Sequence, residues 1–486
     1  MSILSDRVLR QALTICLLVY VFSAKGYIEC SDTSFSLQTV QAIVTRGHLD
    51  IPYAEGGTLQ GPDGRSYSKY GIGLALYYVP WVAASDVLAC CTRLPGPELT
   101  GFLISFANIP FAMLALVLFA KLLKLFGATG VRAWLLPLGL GLGTLTWRYG
   151  CYDFSEEMQM ALLMLAVYGV ARGTPKAIAS AGGGFAWLLL VKLLYVAFFP
   201  LFLVYLIARP GSLRQRIRNA TLFMFPFVLA VCFLAWLNLA RFGNLLESGY
   251  GSEAGLFFPS QLWHAVPQLL GSPDKGLLVF CPILILGVFG WKEFAKRYRP
   301  EALLCGGLVV GNLILAGAWH SWIGGWSWGP RLLVPAIPLW LLPAAFSIPR
   351  RQSRALLGIV ALLTLTSFLA QIPGVLVKDQ EIHQIKENML TAQEMRSAPS
   401  DSVMACILLK HKLAERNEVY RVSEFHIPGN RELDLTGYRT FLGLNVWTEQ
   451  AARQLKEPAL RWLPLLALFP IGFLAVRIGA ALKTAV

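Results

Sequence analysis

The chain has 486 residues, 56% hydrophobic and 14% charged, where a soluble domain carries roughly a quarter charged. Apolar runs long enough to cross a bilayer recur along it, which excludes a water-soluble globular fold and predicts an all-α polytopic membrane protein. The net charge of +14 is scattered in short connections between those runs, which excludes a nucleic-acid-binding face.

The first apolar run, 8–25, follows Arg7 and Arg10. No small-residue cleavage site stands out, so it is read as a retained span. Further runs lie at 99–123, 131–148, 157–171, 177–191, 193–208, 218–240, 276–291, 300–318, 331–347, 354–372 and 458–480, about twelve spans in all. Alternate connections carry Lys121, Lys124 and Arg132; Arg172 and Lys176; Arg209, Arg214, Arg216 and Arg218; Lys292, Lys296, Arg297 and Arg299; and Arg350, Arg351 and Arg354. Arg477 and Lys483 follow the last run. The positive-inside rule puts these clusters and both termini in the cytoplasm, with the other connections outside.

Residues 71–91 are apolar enough for another span, but a crossing there would reverse every later cluster. They carry Pro80 and Asp86 and are predicted as a juxtamembrane or re-entrant helix on the outer face. Run 177–208 would measure about 48 Å as one helix, so it is predicted as a hairpin of two short spans with Lys192 near its tip. Residues 373–457 are mixed and polar. The chain thus divides into a transmembrane module, 1–372, with its first outer loop at 26–98; a small outer segment, 373–457; and a final anchor, 458–486. The nine cysteines show no metal-ligand spacing.

Loop 26–70 holds Glu29, Asp32, Asp50, Glu55 and Asp63 in a chain poor in acid. Asp32 precedes Leu37, Val40, Ile43 and Val44, spaced as one apolar helical stripe. It is either the cap of that helix or a general base at the mouth of a membrane cavity. In DGRSYSKYG, 63–71, Lys69 opens an apolar helix, where an ammonium and a helix dipole both favour a phosphate. A snorkelling interfacial lysine reads the same way. Asp153, Glu156 and Glu157 open a span, favourable on dipole grounds alone. Arg241, in RFGNLLESGY, offers a bidentate fork for an anion or a partner for Glu247. Residues 319–331, WHSWIGGWSWGPR, hold four Trp, three Gly, one His and one Arg. Trp319, Trp322, Trp326 and Trp328 fit an interfacial belt; the interposed glycines and Arg331 fit a sugar ring or isoprenoid carrying a phosphate.

Taken in order, the outer-loop carboxylate, DGR-x-YSKYG, N-x-x-RFGN…SGY (Asn238–Tyr250), SP-x-KG and W-x-GG-x-S-x-GPR (Trp322–Arg331) resemble the GT-C membrane glycosyltransferases. The pattern is similar to bacterial relatives of protein O-mannosyltransferases and lipid A aminoarabinose transferases, over roughly residues 1–375. The resemblance implies a GT-C-like bundle with outer-face juxtamembrane helices and a small outer C-terminal domain, in a bacterial inner membrane, with its site facing the periplasm. It implies an inverting enzyme that moves one hexose or pentose from a polyprenyl-phosphate donor to an outer-face glycan, lipid or protein. Asp32 would be the base, with Glu29 or Glu157 as alternatives. Lys69, Arg331 and Arg241 would bind the donor phosphate. Trp319, His320, Trp322, Trp326, Trp328, Tyr67 and Tyr250 would line the sugar and lipid path. No cofactor is implied; a divalent cation held by Asp32 with Glu29 or Glu157 is the alternative. Better-known relatives have Lys-Pro-Pro where this chain has Lys69-Tyr70-Gly71. A flippase would instead show inverted repeats and mid-membrane charges, and an O-antigen polymerase or ligase an Arg-rich late outer loop.

Overall fold

The computed structural model describes residues 3–92, 95–348, 354–414, 419–435, 443–454 and 457–483. Arg350 and Arg351 of the last basic connection fall outside them. Helix α1 (Ile3–Ser23) ends at the first polar loop. Helix α2 (Ser31–Arg46) forms as expected, but it buries Thr33, Ser36, Thr39, Val40 and Ala42 and leaves Val44 of the expected stripe exposed; it stops at Gly47, whose φ of +68° suits a residue without Cβ. Strands β1 (Thr58–Gln60) and β2 (Ser66–Ser68) form a small antiparallel hairpin with Leu59 opposite Tyr67.

Helix α3 (Ile72–Thr92) is long and apolar enough to cross a membrane. It packs on α2, on the helix that follows it and on the end of the hairpin at Val191. Gly71 abuts the carbonyl of Val191, Tyr77 donates to the carbonyl of Ala107, and Ser85 bonds Thr100. Helix α4 (Gly96–Ile104) runs beside it and brings Gly101 against Tyr27 and Ile28. Helix α5 (Ile109–Leu125) then descends the bundle. Prolines and glycines break run 131–148 into α6 (Arg132–Leu142) and α7 (Leu145–Gly150), with Thr144 capping the second.

Helix α8 (Glu156–Arg172) is the core: 14 of its 17 residues are buried, so it has no solvent or lipid face. It packs on α5 and on α9 (Pro175–Val191). At Gly169 an added Cβ would lie 2.3 Å from the carbonyl of Ala177, so only glycine lets these helices approach. Run 177–208 folds as a hairpin. The chain breaks at Lys192 into extended backbone, makes a 3-10 turn, and returns as α10 (Phe199–Ala208). Arg209 closes the base by donating to the carbonyls of Val170 and Ala171.

Helix α11 (Leu213–Phe242) is followed by α12 (Leu262–Gly271) and α13 (Leu277–Phe280). Helices α14 (Ile285–Arg297) and α15 (Arg299–Ala318) pack as a pair. Run 331–347, interrupted by Pro335, Pro338 and Pro343, yields only a 3-10 turn, α16 (Ile337–Leu341) and α17 (Ala344–Ser347). Helix α18 (Arg354–Leu376) leads into the polar C-terminal segment. Among the described residues five helical stretches have the length and apolarity of a span: Ile72–Thr92, Gly96–Leu125, Leu213–Phe242, Arg299–Ala318 and Gly358–Leu376. Three shorter apolar ones accompany them, Pro175–Val191, Leu193–Ala208 and Arg331–Ser347. The polytopic helical architecture is as expected; broken runs replace several of the uninterrupted spans.

The C-terminal segment holds α19 (Asp379–His383), α20 (Ala392–Ser397), α21 (Asp401–Leu413), strands β3 (Val419–Arg421) and β4 (Glu432–Asp434), and α22 (Trp447–Gln454). It sits directly on the first loop. Trp447 donates its backbone N–H to Ala24 and its indole N–H to Val21, and Gln380 donates to the carbonyl of Glu29. Gly26, at φ +80°, accommodates this: a Cβ there would be 2.8 Å from that of Trp447. Helix α23 (Leu463–Lys483) follows and packs on α1.

Candidate active site

The site begins with the residues that fix the start of α2. Asp153, in the turn before α8, accepts the backbone N–H groups of Glu29 (3.1 Å) and Cys30 (2.8 Å), and Thr33 donates to its carbonyl. Lys25 is buried between Glu29 and Asp153. Burial raises the carboxyl pKa of Asp153, and Lys25 opposes the shift. Burial also lowers the Lys25 ammonium to about 8. Asp153 and Glu29 are therefore the clamp that sets the first turn of α2.

Asp32 stands in that turn with its side chain 30% exposed. Arg331, at the start of the 3-10 turn after the Trp-Gly loop, places Nη1 3.3 Å from Asp32 Oδ2 and Nε 3.6 Å from Glu156 Oε1. The Phe154 ring lies 4.2 Å under its guanidinium. Lys192, at the hairpin tip, interacts electrostatically with Glu156, Arg331 and Asp32. Tyr70 stacks on Phe35; burial first, then the nearby charge of Asp32, pushes its phenol well above the usual range. Tyr250 faces Asp32, Arg331 and Glu253, and burial pushes it up to about 12. Lys69 borders the cluster, paired with Glu253 at 2.9 Å and lying 5.4 Å from the Tyr250 ring centre. Three cations (Arg331, Lys192, Lys69), three carboxylates (Asp32, Glu156, Glu253) and two neutral phenols thus converge at one end of an apolar bundle.

The other candidates fall elsewhere. Glu29 is tied to Lys25 and Tyr27. Glu157 is 0% exposed, with no hydrogen-bond partner for either oxygen among the described residues. Arg241 donates to the Ser68 carbonyl and to Asn238, so it steadies the strand end that leads to Lys69 and Tyr70. Tyr67 donates to Asp63 and packs edge-on against Phe242.

Within the Trp-Gly loop the rings diverge. Trp319 packs on Tyr250 and Phe257, next to exposed His320. Trp322 meets His264. Trp326 stacks on His383 and donates to Glu387 at 3.0 Å. Trp328 is core, wedged against Phe280 and Gly374. Lys275, from the Ser272–Gly276 turn, holds the loop by donating to the carbonyls of Gly325 and Ser327.

No protein-family model and no curated protein matches the sequence. Solved structures do resemble the fold. ArnT from Cupriavidus metallidurans bound to undecaprenyl phosphate is similar with a TM-score of 0.54 and 14% identity, over 97% of this chain and 76% of that one. Its apo structure gives 0.52 and 14%, over 83% and 70%. The apo oligosaccharyltransferase of Archaeoglobus fulgidus gives 0.54 and 10%, over 79% of this chain and 58% of that longer one. Both neighbours are GT-C glycosyltransferases.

The chain has the GT-C fold.

On this GT-C fold, four residues of the cluster were missed as site residues in the sequence: Tyr70, Glu156, Lys192 and Glu253. Lys192 carried a signal, as the one charge in the long apolar run 177–208. Glu156 carried a weaker one in its first-turn position. Tyr70 and Glu253 had none, because tertiary packing alone brings them to Asp32 and Lys69.

Proposed function

We propose that this protein is an integral-membrane inverting glycosyltransferase that moves one sugar from a polyprenyl-phosphate donor to an acceptor hydroxyl outside the membrane. The observation that carries the reading is the partly exposed Asp32, set between Arg331, Lys192 and Tyr70 at the end of the bundle. The GT-C fold supports it. The similar ArnT structure holds undecaprenyl phosphate, and one of the A. fulgidus enzyme, AglB, holds a dolichol-phosphate and an inhibitory peptide.

In this reading Asp32 removes the proton of the acceptor hydroxyl as the oxygen attacks the anomeric carbon from the face opposite the phosphate. The bond from that carbon to the phosphate oxygen breaks, and the polyprenyl phosphate leaves as an anion. A phosphate is a stable leaving group, so the chain supplies cations and not a strong acid. Arg331 and Lys192 are placed for this, with Lys69 at the border. Arg331 presents a planar fork suited to two phosphate oxygens. Tyr70 lies beside Asp32 and stays protonated there. Glu156 positions Arg331 from behind. The site faces the periplasmic side of a bacterial inner membrane, with both termini cytoplasmic.

The test is to delete the gene in its host and compare envelope glycans by mass spectrometry, complementing with wild type and Asp32→Asn. Loss of a single sugar, restored by wild type and not by the variant, is the expected result. Equal rescue by both removes Asp32 from the mechanism, and an unchanged glycan profile overturns the transferase reading.

A further inference from the structure

The bundle has a second site-like feature at its other end. Helix α15 spans 20 residues, about 30 Å at 1.5 Å per residue. Its last residue, Ala318, leads into Trp319 and the Trp-Gly loop, while its first, Arg299, is a full helix length away. There α14 and α15 part around a groove of about 550 Å³.

Ala302, Gly306 and Gly307 form the groove floor, and Trp291 stands as one wall. A Cβ at Gly306 would touch the Trp291 ring at 3.6 Å, an ordinary contact, so the ring stands over the floor at this point. Leu303, 68% exposed, continues the apolar surface to the lip. The mouth is cationic: Lys292, Lys296 and Arg299 line it. Lys296 pairs with Glu293 on its own helix at 2.9 Å. Neither Lys292 nor Arg299 forms an ion pair among the described residues. The cations thus lie at the end of the apolar wall where an interface is expected, with an aromatic ring beside them.

A hydrocarbon trough with uncompensated cations at its mouth matches one ligand chemistry, an acyl chain that ends in an anion. We infer that this groove binds an anionic phospholipid. The chain lies over Ala302, Gly306 and Gly307, and the headgroup phosphate sits between Lys292 and Arg299. A zwitterionic lipid offers the same chain without net charge to match the rim. A second copy of this protein, or a partner helix, would take Lys292 and Arg299 out of water at a desolvation cost. None of these residues takes part in the proposed transfer chemistry, so the lipid site stands or falls separately.

The full-length protein, stripped in detergent and supplied with phosphatidylglycerol or phosphatidylcholine, is examined by native mass spectrometry. Phosphatidylglycerol is expected to remain bound under conditions that remove phosphatidylcholine. The double variant Lys292→Ala with Arg299→Ala should weaken its retention roughly thirtyfold, at about a fivefold contribution per cation. Gly306→Leu keeps both cations and fills the floor, and should abolish retention. Arg214→Ala with Arg218→Ala, in a separate basic connection, should leave it unchanged. Equal retention of the two lipids, or full retention in both groove variants, overturns the site. So does a dimer, sensitive to Gly306→Leu, in place of a lipid adduct.

Discussion

Asp32 and Glu29 sit three residues apart in one loop, yet their surroundings give them opposite work. Asp32 is partly open and meets Arg331 and Tyr70; Glu29 is sealed against Lys25 and its backbone N–H is held by Asp153. Replacing Asp32 with Asn should lower turnover by roughly 10²–10⁴-fold, the usual worth of a general base, with thermal stability unchanged. Glu29→Gln should do the reverse. It leaves buried Lys25 with Asp153, at 3.8 Å, as its remaining carboxylate and should cost up to roughly 3–5 kcal/mol of stability, read as a lower unfolding temperature in the same preparations. A fall in turnover for Glu29→Gln at full stability would transfer the base to Glu29. Tyr70→Phe removes the phenol oxygen next to Asp32 and should slow transfer by less than Asp32→Asn does. The choice between the two acids was not legible in the sequence. Both lie in a polar loop next to apolar surface, and only the position of Lys25 and Asp153 tells them apart.

At the scale of elements, the Trp-Gly loop is braced on both sides. Lys275 grips its backbone from one turn, and the stack of Trp326 on His383 ties it to the C-terminal segment. The four Trp of the loop have different neighbours: Trp328 fills the core while Trp326 reaches the other segment. Sequence spacing cannot separate these roles, because glycines with positive φ at 324, 325 and 329 turn each ring a different way. The C-terminal segment is docked through Gly26. Gly26→Ala should cost about 1–2 kcal/mol for the left-handed backbone alone, plus the clash with Trp447, and should loosen that segment first, as limited proteolysis would report.

Within the same segment, Arg431 and the backbone N–H of Thr391 hold Glu394 at about 2. Its folded value is depressed, so its contribution is full above the ordinary glutamate pKa of 4.5 and is lost as pH falls from there towards 2. Protection factors for hydrogen exchange at 392–397, taken relative to the intrinsic rate at each pH, should therefore fall between pH 4.5 and 2, and Glu394→Gln should show the lowered protection at neutral pH. A flat profile would sever Glu394 from the stability of this segment.

For the whole molecule, orientation is directly measurable. Cys90 and Cys91 are exposed near the end of α3, within the first loop, and Cys406 is exposed on α21, in the C-terminal segment that reaches that loop through Gln380. A membrane-impermeant maleimide should label them in intact spheroplasts if that end faces outward; labelling only after lysis would invert the topology. The gross plan was legible because hydropathy, the alternating basic clusters and the hairpin at Lys192 are encoded locally. The helix breaks at prolines were underread, since a hydropathy window sees Pro335, Pro338 and Pro343 as apolar and not as interruptions. The site itself draws on residues scattered along the chain, and its central ion pair joins positions 299 apart. That separation has a consequence in time. At about 5–20 residues per second, a ribosome makes Arg331 roughly 15–60 s after Asp32. Through that interval the nascent chain exposes Asp32 and inserts Glu156 without their common cation. A chain released before residue 331 should reach the membrane as a helical bundle and carry no reaction centre.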